Sequence, residues 1–134
     1  MTEAATVQVW ENTGATFVPN VTIRQAGTLA FSRGAQNKFG YGTTIQHVKL
    51  AYDFGEKAII VIPGQADEPA ALPLRRVGRP VVLYCRKFFE RFEIDFAKKR
   101  RFTLRKVDQY AALETSVPVY VIDLEKPIST TEED

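Results

Sequence analysis

The chain has 134 residues, 45% of them hydrophobic with nine Phe, and a formal charge of +2. That length accommodates one domain with a real core, and its longest apolar runs, AIIVI at 58–62 and PVVLY at 80–84, are strand-sized and far short of a membrane span. One cysteine, Cys85, and one histidine, His47, exclude an internal disulfide and a Cys/His zinc cluster.

The opening MTEAAT lacks the basic and apolar regions of a signal peptide, so a cytoplasmic chain is expected. Residues 1–20 read as an N-terminal arm, with VQVW at 7–10 as a candidate edge strand. VTIRQA at 21–26 alternates apolar and polar residues as a half-buried strand does, Gly27 makes a turn, and TLAF at 28–31 resumes extended structure. Ser32 is placed to cap a short helix running through Lys38, with Gly40 as its C-terminal stop. HVKLAYD and KAIIVIP flank Phe54, Gly55 and Glu56 as the two arms of a hairpin. The Pro-, Ala- and acid-rich segment that follows reads as part of a linker over 64–76.

Beyond the linker the same order returns 53 residues on. Arg33, Lys38, Phe39 and Tyr41 are matched by Arg86, Arg91, Phe92 and Ile94, and Ser32 by Cys85. Cys85, Phe88, Phe89 and Phe92 recur at helical spacing and define a face to be buried. FTLRKVD at 102–108 answers HVKLAYD, and VPVYVIDL at 117–124 answers KAIIVIP. The expected fold is therefore α+β: a single domain over 21–126, made as a pseudo-symmetric, barrel-like pair of tandem β-α-β-β repeats at 21–63 and 77–124. An acidic disordered tail is expected over 127–134.

Charge is the sharpest feature. Twelve of the eighteen Lys and Arg residues lie between Arg75 and Lys106 with only three acids, Glu90, Glu93 and Asp95, so this stretch carries +9 and the remainder −7. Such a single-sign block, interleaved with Tyr84, Phe88, Phe89, Phe92, Phe96 and Phe102, suits a surface for a polyanion. Arg79, Arg86, Lys87, Arg91, Lys98, Lys99, Arg100 and Arg101 are the expected nucleic-acid contacts, mainly to phosphates, with Arg79 and Arg86 as candidates for base edges.

Residues 21–63 resemble the AbrB/MraZ class of swapped-hairpin transcription factors. GTLAFSRGAQNKFGY followed by HVKLAYDFGEKAIIVIP has that family's spacing, with Gly27 on its turn glycine and Phe39, Gly40 and Tyr41 on its helix end. The resemblance implies binding of duplex DNA and a regulatory role. The family's arginine after the turn glycine is Thr28 here, its helix-start proline is Ser32 and its helix arginines fall on Gln36 and Asn37, so the implied contacts move to the second copy, which keeps Gly78 and Arg79.

Catalysis has little to draw on. His47 starts a strand without a nucleophile beside it, Cys85 sits on an apolar helical face, Asp53 and Asp108 suit turns, and no phosphate loop, dinucleotide fingerprint or calcium loop is present. No enzyme activity, cofactor, small-molecule substrate or membrane association is expected. The expected partner is nucleic acid, duplex DNA first, with homo-oligomerisation compatible with that role. The rivals are a single-stranded DNA or RNA binder that stacks bases on Tyr84, Phe96 or Tyr110, and an assembly subunit that docks its basic face on an acidic partner.

Overall fold

The computed structural model describes residues 19–110, 113 and 117–128. The expected edge strand at 7–10 lies outside the described residues. Among the described residues there are eight strands: β1 (Asn20–Arg24), β2 (Thr28–Phe31), β3 (His47–Asp53), β4 (Ala58–Pro63), β5 (Leu72–Arg76), β6 (Val81–Tyr84), β7 (Arg100–Val107) and β8 (Val119–Ile128). They close into an antiparallel barrel in the order β1-β2-β6-β5-β3-β4-β8-β7. Among the described residues it is interrupted by two helices of 7 and 6 residues, α1 (Arg33–Phe39) and α2 (Arg86–Arg91).

The expected α+β class is thus corrected to an all-β closed barrel. Hairpins from the N-terminal half, β1–β2 and β3–β4, alternate around the wall with β5–β6 and β7–β8 from the C-terminal half. Neither half forms a β-α-β-β sheet of its own. Two boundaries also move. The span read as a linker contains β5, and β8 runs on to Ile128, into the span read as a disordered tail.

Alternation along the strands fills the barrel. Val21 and Ile23, Leu29 and Phe31, Ile59 and Val61, Val81 and Leu83, Phe102 and Leu104, and Tyr120 and Ile122 belong to one buried cluster, as the side-chain period of two requires. Strands β4 and β8 read as unbroken apolar runs because their outer faces are buried too. There Ala58, Ile60, Val119 and Val121 form a second cluster, with Tyr110 and Leu113 packed against it.

Strands β2 and β6 are antiparallel neighbours, so the helices that follow them sit at opposite ends of the barrel. Ser32 caps α1 as expected, its hydroxyl accepting from the Ala35 backbone N–H at 3.1 Å. Tyr41, just past this helix, is fully buried, stacked on Phe31 at 4.5 Å and edge-on to Tyr120 at 5.2 Å. Phe89 and Ile94 fill the other end. Gly40 stops α1 at φ 85°, and Glu93, its counterpart 53 residues on, takes the same left-handed conformation at φ 57°.

The Tyr41 hydroxyl is buried without a hydrogen-bond partner among the described residues, and burial drives its pKa far upward, with Tyr120 adding to the effect. An unmet hydroxyl carries a desolvation cost. Tyr41→Phe should therefore raise stability by about 1 kcal/mol, read as a higher urea midpoint with an unchanged slope.

Candidate nucleic-acid interface

Three segments assemble the α2 end. The β1–β2 turn packs directly on the start of α2: a Cβ on Gly27, which sits at φ 86°, would fall 2.4 Å from the Arg86 Cβ, so this close approach requires glycine. The Cys85 N–H donates to the Gly27 carbonyl at 3.1 Å, and Gln25 Nε2 donates to the Ala97 carbonyl at 2.5 Å, tying the turn to the loop after the helix. The β3–β4 turn arrives from the other side through Phe54, whose ring lies 5.6 Å from that of Phe92.

A helical rotation of about 100° per residue sorts the side chains of α2. Phe89 and Cys85 are buried, whereas Phe88 and Phe92, expected to be buried with them, are only half-buried at the shoulder of the helix. Lys87 and Arg91 point to solvent as expected. Arg86 is exposed but committed: it pairs with Glu90 at 3.0 Å one turn on, and its guanidinium lies 5.7 Å from the Phe96 ring. Lys98 and Lys99 are exposed on the loop leading to β7. Among the described residues, Lys87, Arg91, Lys98 and Lys99 have no carboxylate within the 4.0 Å of an ion pair.

The remaining expected contacts divide. Arg100 belongs to this end but serves the structure, with its Nη2 donating to the Asp95 carbonyl at 2.5 Å and its guanidinium over Phe102 at 5.3 Å. Arg101 is half-buried on the outer wall, in register with Thr22. Arg79 lies at the opposite end, in the β5–β6 turn, where its carbonyl accepts from Gln36 of α1 at 3.2 Å and from Arg76 at 3.1 Å. Five of the eight named cations, Arg86, Lys87, Arg91, Lys98 and Lys99, are therefore exposed together, and Arg79 stands apart from them.

Cys85 is 4% exposed, makes no side-chain cap and donates its S–H to the Leu83 carbonyl at 3.7 Å. Burial also pushes the thiol up to about 12, in keeping with its place in the core. Folded protein should resist a thiol-specific reagent at mildly alkaline pH, with labelling no faster than unfolding. Prompt stoichiometric labelling of the native chain would contradict this placement.

Among the rings considered for stacking, Tyr84 is 55% exposed on the outer wall, Phe96 is half-buried against Phe89 at 5.5 Å, and the Tyr110 hydroxyl donates to the Asp53 carboxylate. That bond, with the Glu56 N–H at 3.0 Å, holds the Asp53 carboxyl below its ordinary range, and Asp53 serves its turn as expected. Tyr110 is pushed up to about 12, first by burial and then by the same bond. Asp53, Glu56, Arg105, Tyr110 and Asp123 line a depression of about 290 Å³ whose charges are of both signs.

Sequence reasoning missed Phe54. It is the most exposed large apolar residue described, at 70%, and it is held by Tyr52 at 5.0 Å as well as by Phe92. A phenylalanine in a turn beside glycine was the available signal, since turns favour small polar residues.

Compared with known protein families, curated proteins and solved structures, the chain gives no match. Among the described residues no helix is long and apolar enough to cross a membrane.

Proposed function

We propose that this chain is a non-catalytic nucleic-acid-binding protein that grips phosphates with the α2 end of its barrel. The observation that carries the reading is the set Lys87, Arg91, Lys98 and Lys99, exposed together on one end without acidic partners among the described residues. Clustered cations that form no ion pair repel one another, although Glu93 and Asp95 stand exposed in the same segment, and a polyanion relieves that repulsion by releasing its counterions. Arg86 can join them, because an exposed helix-surface pair with Glu90 is worth only about 0.3–0.5 kcal/mol and exchanges readily for a phosphate.

Duplex DNA with a regulatory role, the target implied by the resemblance to the AbrB/MraZ class, remains the first form of this proposal, and a cytoplasmic location goes with it. The alternation of hairpins from the two halves of the chain is in keeping with a swapped-hairpin ancestry. Arg79 and Arg86 do not share an end, so one bound duplex cannot be read by both in the way the sequence suggests. A second reading, single-stranded DNA or RNA, is favoured by the exposed ring of Phe54 beside the cations. Fluorescence anisotropy with duplex, single-stranded and RNA oligonucleotides of equal length, each at two salt concentrations, tests both readings, with salt-sensitive binding to at least one expected.

A further inference from the structure

Phe54, Tyr52, Phe92 and Phe88 form a continuous aromatic shelf at the edge of the α2 end. Tyr52 meets Phe54 edge-on at 5.0 Å and stacks with Phe92 at 5.4 Å, and Phe88 closes on Phe92 at 5.0 Å. Phe54, the outermost ring, is fixed from two sides while leaving 70% of its surface to water. Its packing within the fold is limited to the edge contacts with Tyr52 and Phe92, and most of the ring is left bare. A planar ligand gains a surface whose ordering has already been done.

The cationic border says what kind of ligand. Arg91 follows Phe88 by three residues and precedes Phe92 by one, and its guanidinium lies 5.8 Å from the Phe92 ring. Lys87 is one turn back on the same ridge. Planar faces next to cations that have no ion pair among the described residues match a chain that alternates aromatic bases with phosphates, and match it only where the bases are unpaired, because a duplex hides their faces in its own stack.

We infer that the shelf stacks an unpaired base of a single-stranded nucleic acid whose phosphates run along Lys87 and Arg91. The inference rests on the proposed nucleic-acid reading and deepens it. Phe54 supplies the platform, and Arg91 contributes both to the adjacent phosphate and to the electrostatics of the Phe92 ring. The backbone of the strand enters from the α2 side, because the β3–β4 turn carries Asp53 and Glu56 on either side of Phe54 and repels phosphates there.

The test uses the full chain and labelled oligothymidylate, with a duplex of the same length in parallel. Phe54→Ala should weaken single-strand binding by about tenfold, the scale of one base–aromatic stack, and leave duplex binding and both salt slopes unchanged. Phe54→Trp should restore or tighten single-strand binding, and the high exposure of Phe54 lets both variants fold with thermal midpoints near the parent's. Equal single-strand affinity of Phe54→Ala and the parent, in a protein whose binding is weakened and made less salt-dependent by Lys98→Ala with Lys99→Ala, would overturn the shelf and leave the phosphate reading standing. A parent that binds neither oligonucleotide overturns both.

Discussion

Phe89→Ala should cost about 3–5 kcal/mol of stability, the usual range for removing a fully buried phenyl ring. Phe89 has no exposed surface, and it closes the barrel end on which the proposed site is built. Its backbone carbonyl also accepts from the Ile94 N–H at 2.8 Å, so the turn after α2 is fastened to the residue that would lose its ring. With a domain of this size holding only about 5–15 kcal/mol, the variant should lose a large share of its stability. Phe89→Leu should lose far less, because most of the volume is kept. Urea denaturation of the three proteins measures the effect. An alanine variant within about 1 kcal/mol of the parent would mean that the end plug is not packed as described.

The sequence carries the strands and helices well and their arrangement poorly. Alternation in VTIRQA, the cap at Ser32 and the unbroken apolar run AIIVI are local signals, and each corresponds to an element of the barrel at that place. Strand β5 escapes because its two inward residues, Leu72 and Leu74, are set among Pro73, Arg75 and Arg76 and offer too short an alternation to outweigh two nearby prolines. Without β5 the second half has three strands, and the interleaving of hairpins cannot be deduced. Fold class fails for a related reason. Two helices of 7 and 6 residues are strong motifs in the text of the sequence, but in space they are plugs at the ends of a barrel that does not otherwise depend on helices.

The candidate site is legible as composition and not as geometry. Lys87, Arg91, Lys98 and Lys99 fall in one basic run, and the passage from helix to loop to strand keeps that run at one end. Arg79 belongs to the same run by sequence but lies before β6, and the length of that strand carries it to the opposite end. Arg100 reads as a phosphate ligand because nothing in a sequence tells a free guanidinium from one spent on the Asp95 carbonyl. Phe54 lies in a turn well upstream of the basic run, with the linker span and two strands between them, and only barrel closure brings that turn against Phe92.

The second large effect is on binding. Replacing Lys87, Arg91, Lys98 and Lys99 together by Ala removes the four proposed phosphate contacts, and all four side chains are exposed, so the fold should survive with its urea midpoint little changed. Affinity should fall by about two orders of magnitude at low salt and by much less at high salt, because counterion release is the term being removed. The loss should be alike for every sequence, since phosphates carry no base information. The matching variant of the opposite end, Arg76→Ala with Arg79→Ala, should bind as the parent does.

The salt dependence of the parent protein puts the proposed function to its most direct test. Four contacts contribute about −3.6 to the slope of log affinity against log salt on duplex DNA and about −2.8 on a single strand, and the quadruple variant should lose that contribution, keeping at most the share of about −1 that Arg86 can supply. A parent that binds no oligonucleotide at low salt, or whose slope is unchanged when those four cations are removed, would contradict the phosphate-gripping role of the α2 end and leave the basic face as a docking surface for an acidic protein partner.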